Sequence, residues 1–172
     1  MKTRPSIAFF GSSILSAYWN GAATYYRGLL RALSRRGFPI TFFEPNAFER
    51  QEHRDLAEPD WVRVVVYECS QQGVDGALEE AAGSDVIVKA SGVGVFDAAL
   101  EERVPALAAR SGSLAVFWDV DAPATLDRLH HDPRDPFHAA LPSYDLVLTY
   151  GGGPPVCESY HRLGARACTP VY

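Results

Sequence analysis

The sequence has few cysteines, no basic run and no long apolar stretch. Cys69, Cys157 and Cys168 are its three cysteines. An odd number at wide spacing makes neither a zinc motif nor a disulfide framework, so a reducing, cytoplasmic setting is expected. No cysteine joins a histidine in a nucleophile signature. His130 and His131 are adjacent, and adjacent helix residues do not face one site, so no metal is expected. Lys and Arg total 16 against 21 Asp and Glu, a net charge of −5. Beyond Arg35-Arg36 there is no basic stripe, so nucleic acid is not an expected partner. The opening Met1-Lys2-Thr3-Arg4-Pro5 leads into an apolar run too short for a signal core, and no stretch is long enough to span a bilayer. The dinucleotide fingerprint is also incomplete. In Gly92-Val93-Gly94 the third small position falls on Asp97, and no such motif follows the first strand, so no cofactor is expected.

What is present is an alternation of strand and helix signals. The 172 residues, 47% of them hydrophobic, suit one globular domain over 1–172. Strands are expected at Ser6–Phe10, Ile40–Phe43 (stopped by Pro45), Val62–Tyr67, Asp85–Lys89, Ser113–Trp118, Tyr144–Thr149 and Ala167–Val171. Helices are expected at Gly21–Arg36, Gln71–Ala82, Phe96–Arg110, Ala122–His130 and Pro154–Leu163, with Gly37 as the first helix's terminator. Phe48–Ala57 reads as a polar, exposed helical turn, and His131–Pro142 as a long loop. Apolar runs such as Val62-Arg63-Val64-Val65-Val66 fit strands covered on both faces. The expected fold is α/β: a Rossmann-like, three-layer, doubly wound parallel sheet of about seven strands, with Ser6–Phe10 near its middle.

Ligands of such sheets gather at the carboxyl ends of the strands. After the first strand come Gly11, Ser12 and Ser13, then Asn20 and Gly21 at the start of a helix. Asn20 is a plausible N-cap, and small residues at 21–23 would admit a ligand to the backbone. After the fourth strand, Ser91 and Gly92 would form a backbone wall. After the fifth come Asp119 and Asp121, two carboxylates at i and i+2 that could raise one pKa and supply a general base. Asp121 also suits a cap for the helix opened by Ala122-Pro123. After the sixth, Gly151, Gly152 and Gly153 precede a proline-opened helix and could hug a ligand or a facing domain. These positions are expected to converge on one open face.

Three segments together resemble the N-terminal half of spore-maturation-type glycosyltransferases, which are B-type glycosyltransferases. They are Gly11-Ser12-Ser13 with Tyr18-Trp19-Asn20-Gly21-Ala22-Ala23-Thr24-Tyr25-Tyr26-Arg27, Phe117-Trp118-Asp119-Val120-Asp121-Ala122-Pro123, and Leu148-Thr149-Tyr150-Gly151-Gly152-Gly153-Pro154-Pro155. The resemblance implies two Rossmann-like domains facing across a cleft. The N-terminal one holds an acceptor, and a C-terminal one holds most of a nucleotide-sugar donor. It implies that residues 11–23 reach the donor phosphates and the acceptor, and that residues 151–153 line the same cleft. The sequence ends near Thr169-Pro170-Val171-Tyr172, where an interdomain link would begin, so a chain inactive without its donor half is expected. Two other readings stand beside this one: a non-catalytic carbohydrate- or nucleotide-binding module, and a protein-interaction domain.

Overall fold

In the computed structural model, which describes residues 4–171, seven parallel strands form one sheet in the order β3-β2-β1-β4-β5-β6-β7. Met1 to Thr3, read above as the lead into the first strand, and the terminal Tyr172 lie outside the described residues. The strands are β1 Ile7–Phe10, β2 Ile40–Asn46, β3 Arg63–Glu68, β4 Val86–Ala90, β5 Leu114–Asp119, β6 Leu146–Tyr150 and β7 Cys168–Val171. The helices are α1 Ala22–Arg35, α2 Gln71–Ala81, α3 Asp97–Ser111, α4 Ala122–His131, α5 Phe137–Ala140 and α6 Gly153–Arg162. The chain is thus the expected α/β doubly wound, Rossmann-like fold. β1 lies third in the sheet, between β2 and β4, where the strand order reverses.

Side chains alternate across the strands, so each strand feeds two cores. On one face Phe9, Phe42, Val88, Val116 and Trp118 pack under α1 through Tyr26 and Leu30. On the other Ala8, Phe10, Phe43, Ile87, Phe117 and Val147 meet α2, α3, α5 and α6 through Val74, Leu100, Phe137 and Tyr160. Right-handed crossovers account for the division: the step from β1 to β2 runs one way along the sheet, and all steps from β3 to β7 run the other.

Four local expectations are corrected. Pro45 does not stop β2, which runs through it to Asn46. β1 ends at Phe10 opposite Phe43, so beyond that point β2 is paired only with β3, and an edge position tolerates the missing N–H. Residues 48–57 form turns and bends and no helix, and Phe48 and Glu49 are left-handed with φ of 57° and 56°. The loop at 131–142 is instead occupied by α5 and a 3-10 turn, Leu141–Ser143. Buried Phe137, Leu141 and Tyr144 hold it down, and the Tyr144 hydroxyl donates to the Glu101 carbonyl at 2.9 Å. Asn20, finally, is not an N-cap. The cap position of α1 is Gly21, with no side-chain bond, and Asn20 turns inward instead.

Candidate functional site

The loops after β1, β2, β4, β5 and β6 all leave the carboxyl edge of the sheet. Several make direct contact. A Cβ on Gly94, after β4, would lie 2.8 Å from Cε2 of Phe48, after β2. Ser91 Oγ accepts from the Val120 N–H at 2.9 Å, joining the turns after β4 and β5. The Tyr25 and Tyr150 rings meet edge to face at 4.8 Å, joining α1 to the end of β6. Beside them Thr24, Trp118 and Val171 line a cavity of about 670 Å³.

The loop after β1 is built around Glu44, a fully buried carboxylate on β2. Its Oε1 accepts from Ser13 Oγ at 2.9 Å and Gln51 Nε2 at 2.7 Å, and its Oε2 accepts from the Ile14 N–H at 2.7 Å. Asn20 completes the loop from within. Its Oδ1 accepts from Ser12 Oγ at 2.8 Å, and its Nδ2 donates to the carbonyls of Ser13 and Ser16 at 2.8 and 3.1 Å. Inward ties of this kind explain why it does not cap. On the outer side Arg27 grips Asp55 with two bonds of 3.0 and 2.6 Å and also donates to the Ile14 carbonyl. The guanidinium holds the Asp55 carboxyl well below the usual carboxylate range, with the Ala17 N–H as a further donor.

The expected site residues therefore divide. Gly11, Ser12, Ser13, Asn20 and Ser91 are buried, whereas Gly21, Gly92, Asp121 and Gly152 are exposed and Gly151 and Gly153 are half-buried. Gly11 is required by packing, because a Cβ there would lie 2.5 Å from Cζ of Phe42. Gly151, Gly152 and Gly153 all have positive φ, at 74°, 78° and 60°. A backbone of that shape needs three glycines whether or not anything binds there.

The two carboxylates do not form a matched pair. Asp119 is fully buried. Its Oδ1 accepts from the Asp121 N–H at 3.0 Å and Thr125 Oγ1 at 3.1 Å, and its Oδ2 accepts from the Tyr160 hydroxyl. Both oxygens are spent on the core, which removes Asp119 as a base open to solvent. Burial first, then the Asp119 charge, pushes the Tyr160 phenol far above its ordinary range and keeps it the donor. Asp121 stands free. It caps α4 through a long bond from the Ala124 N–H, 3.4 Å, as expected of a cap with proline in the first turn.

A second charged cluster supports the turn after β4. Lys89, fully buried on β4, ion-pairs with Asp97 and lies 3.7 Å from Glu101 Oε1. Asp97 closes the turn by accepting from the N–H groups of Val93 at 3.1 Å and Gly94 at 2.7 Å. Arg128 of α4 pairs with Glu101 at 3.1 Å. Burial raises the Glu101 carboxyl despite both cations. Among the described residues no three His, Cys, Asp or Glu side chains gather as a metal site would require, and no helix is long and apolar enough to cross a membrane.

A larger cavity, about 740 Å³, opens at the opposite, amino edge between α3 and α5. Its lining is mostly alanine, glycine and proline, and Asp145 there is already tied to Arg166 at 3.4 Å and the Ala115 N–H at 2.9 Å. The carboxyl edge has the stronger claim. Among the described residues five large hydrophobic side chains stay exposed, and four of them, Tyr18, Trp19, Phe48 and Tyr150, lie at that edge.

By sequence, no protein-family model and no curated protein matches the chain. By structure, it matches a UDP-glucose:anthocyanidin 3-O-glucosyltransferase in complex with UDP, with a TM-score of 0.60 and 12% identity over 99% of this chain and 53% of that one. Several of its structural neighbours are B-type glycosyltransferases. Another is Anabaena HepE in complex with UDP-glucose, with a TM-score of 0.57 and 16% identity over 98% of this chain and 44% of that one. A third is Glycyrrhiza uralensis UGT73P12 complexed with glycyrrhetinic acid 3-O-monoglucuronide, at 0.55 and 10% over 96% and 48%. The chain spans about half the length of these neighbours. At such identities the likeness is one of fold.

Proposed function

We propose that this chain is the N-terminal, acceptor-side half of a glycosyltransferase of the spore-maturation type, moving a sugar from a nucleotide-sugar donor to an acceptor. The observation that carries the reading is the aromatic carboxyl edge. Exposed aromatics concentrated where parallel-sheet proteins bind ligands mark a surface made to be covered. A cleft closed by a second, donor-binding half covers it, and the neighbours of this fold include chains about twice as long that hold UDP or UDP-glucose.

Within that cleft Asp121 is the acceptor-orienting residue. It is exposed, follows β5 closely, and is the N-cap residue of α4. A side-chain carboxylate placed there accepts a hydrogen bond from an acceptor hydroxyl, so orientation is its role in the chemistry.

Transfer assays test this. The isolated chain is expected to show no turnover and to bind UDP-glucose no more tightly than about 1 mM, because half a cleft supplies half the contacts against the full entropic cost of binding. Paired with its donor-binding half, it should transfer sugar, and Asp121→Asn should slow turnover by about 10²-fold. Asparagine caps as well as aspartate, so the melting temperature should hold. Sugar transfer by the isolated chain, or an Asp121→Asn enzyme of unchanged turnover, would overturn the assignment.

A further inference from the structure

Arg50 is 7% exposed and has no carboxylate partner among the described residues. A guanidinium has five N–H donors and does not escape burial by losing its proton. Two of these donors reach main-chain oxygens at long range: Nη1 to the Ser12 carbonyl at 3.3 Å and Nη2 to the Trp19 carbonyl at 3.4 Å. Nε has no partner. The buried charge thus lacks a counter-ion and keeps one donor unmet, a deficit that an incoming anion would relieve. Arg27 makes the contrast. It is more exposed, yet it has Asp55 in a two-bond clamp. The one buried carboxylate nearby, Glu44, is occupied by Ser13, Ile14 and Gln51 and makes no ion pair with Arg50.

The surroundings fix the guanidinium in place. It lies 4.9 Å from the centre of the Phe48 ring, a cation–π platform. Trp19, Phe48 and Glu49 on either side are left-handed, with φ of 46°, 57° and 56°. Non-glycine residues rarely take that conformation, and they collect where a site must be preorganised. Ser12 and Trp19 follow β1, Phe48 follows β2, and Gly94 after β4 abuts Phe48. Arg50 therefore stands at the point where the strand order reverses, the crevice in which such sheets hold ligands.

We propose that Arg50 forms an anion subsite that takes phosphate oxygens, with the guanidinium fork as its recognition element and Phe48 as its support. The planar fork matches a phosphate in a way an ammonium does not. The proposal rests on the reading of the carboxyl edge as the ligand face, and it names the part of the ligand held on this side of the cleft. It does not depend on sugar transfer.

The test uses the whole chain, inorganic pyrophosphate, UDP and uridine. Binding is followed by amide shifts at Ser12, Trp19 and Gly94 and by ligand-dependent change in melting temperature. Pyrophosphate and UDP should shift those amides and raise the melting temperature; uridine should do neither at the same residues. Arg50→Gln should weaken pyrophosphate at least about tenfold, and Arg50→Lys, which keeps the charge and loses the fork, should fall between. If Arg50→Gln does not fold, Arg50→Lys alone decides. Pyrophosphate binding unaffected by these substitutions, or no pyrophosphate binding by the unaltered chain, would show Arg50 to be only a strut for the Ser12 and Trp19 carbonyls. A subsite that passes while the paired enzyme fails to transfer sugar would instead count against the glycosyltransferase reading alone.

Discussion

Asp119→Ala is expected to destabilise the chain by about 3–5 kcal/mol. The substitution removes an acceptor shared by the Tyr160 hydroxyl, the Thr125 hydroxyl and the Asp121 N–H, and leaves a void where β5 meets α4 and α6. Hydrogen bonds to a charged acceptor contribute about 1.5–3 kcal/mol each, and stranding buried donors adds their desolvation cost. Against the roughly 5–15 kcal/mol typical of a domain, that is a large fraction. Asp119→Asn should cost less, since its amide oxygen still serves the Oδ1 partners while the Tyr160 hydroxyl loses a charged acceptor. Urea unfolding measures both. The midpoint should fall with an unchanged slope, and a loss under about 1 kcal/mol for the alanine variant would mean that Asp119 is not the anchor described. A large effect on folding also means that lost activity at this position would say little about catalysis.

Lys89→Met should be comparably damaging and should carry a pH signature. Its ammonium is the buried partner of Asp97 and the near neighbour of Glu101. Removing one member of a buried ion cluster typically costs about 3–5 kcal/mol, because the opposite charge stays behind. Glu101 already has a raised pKa in the fold, chiefly from burial, and Lys89 is the largest influence holding it down. Without Lys89 the carboxyl should rise further. A folded-state pKa raised above the unfolded value makes ionised Glu101 a liability that fades as pH drops through the folded value. The stability deficit of Lys89→Met should therefore shrink on acidification from pH 8 toward pH 5. A deficit constant across that range would assign the loss to packing rather than charge.

Much of this fold was legible because its signals are local. Strand and helix alternate in the sequence, Gly37 ends α1 with a φ of 86°, and Asp121-Ala122-Pro123 opens α4 as a capped, proline-started helix. The errors fall where tertiary context overrides local habit. Pro45 reads as a stop, yet β2 continues because β1 has already ended beside it. Asn20 has the composition of a cap, but Ser12, Ser13 and Ser16 claim its side chain.

The residues that organise the carboxyl edge were the hardest to see. Gln51 aside, the hydrogen-bond partners of the Glu44, Arg50, Arg27 and Asp55 side chains lie 13 to 38 positions away, and no spacing rule reaches that far. One signal was available. Glu44 follows Ile40-Thr41-Phe42-Phe43, and Lys89 follows Val86-Ile87-Val88, so each is a charge within an apolar strand. A charge in that position is rarely buried unless paired or hydrogen-bonded, and both turn out to anchor the loops around the proposed cleft.

The central claim is that ligand binds at the carboxyl edge, and amide shift mapping of the chain with UDP-glucose at high concentration tests it most directly. The account predicts shifts at Ser12 to Gly21, Phe48 to Arg50, Gly92 to Gly94 and Gly151 to Gly153, with the amino edge silent. Shifts gathered instead around Leu114, Ser143 and Arg166, in the larger cavity at the amino edge, would contradict it.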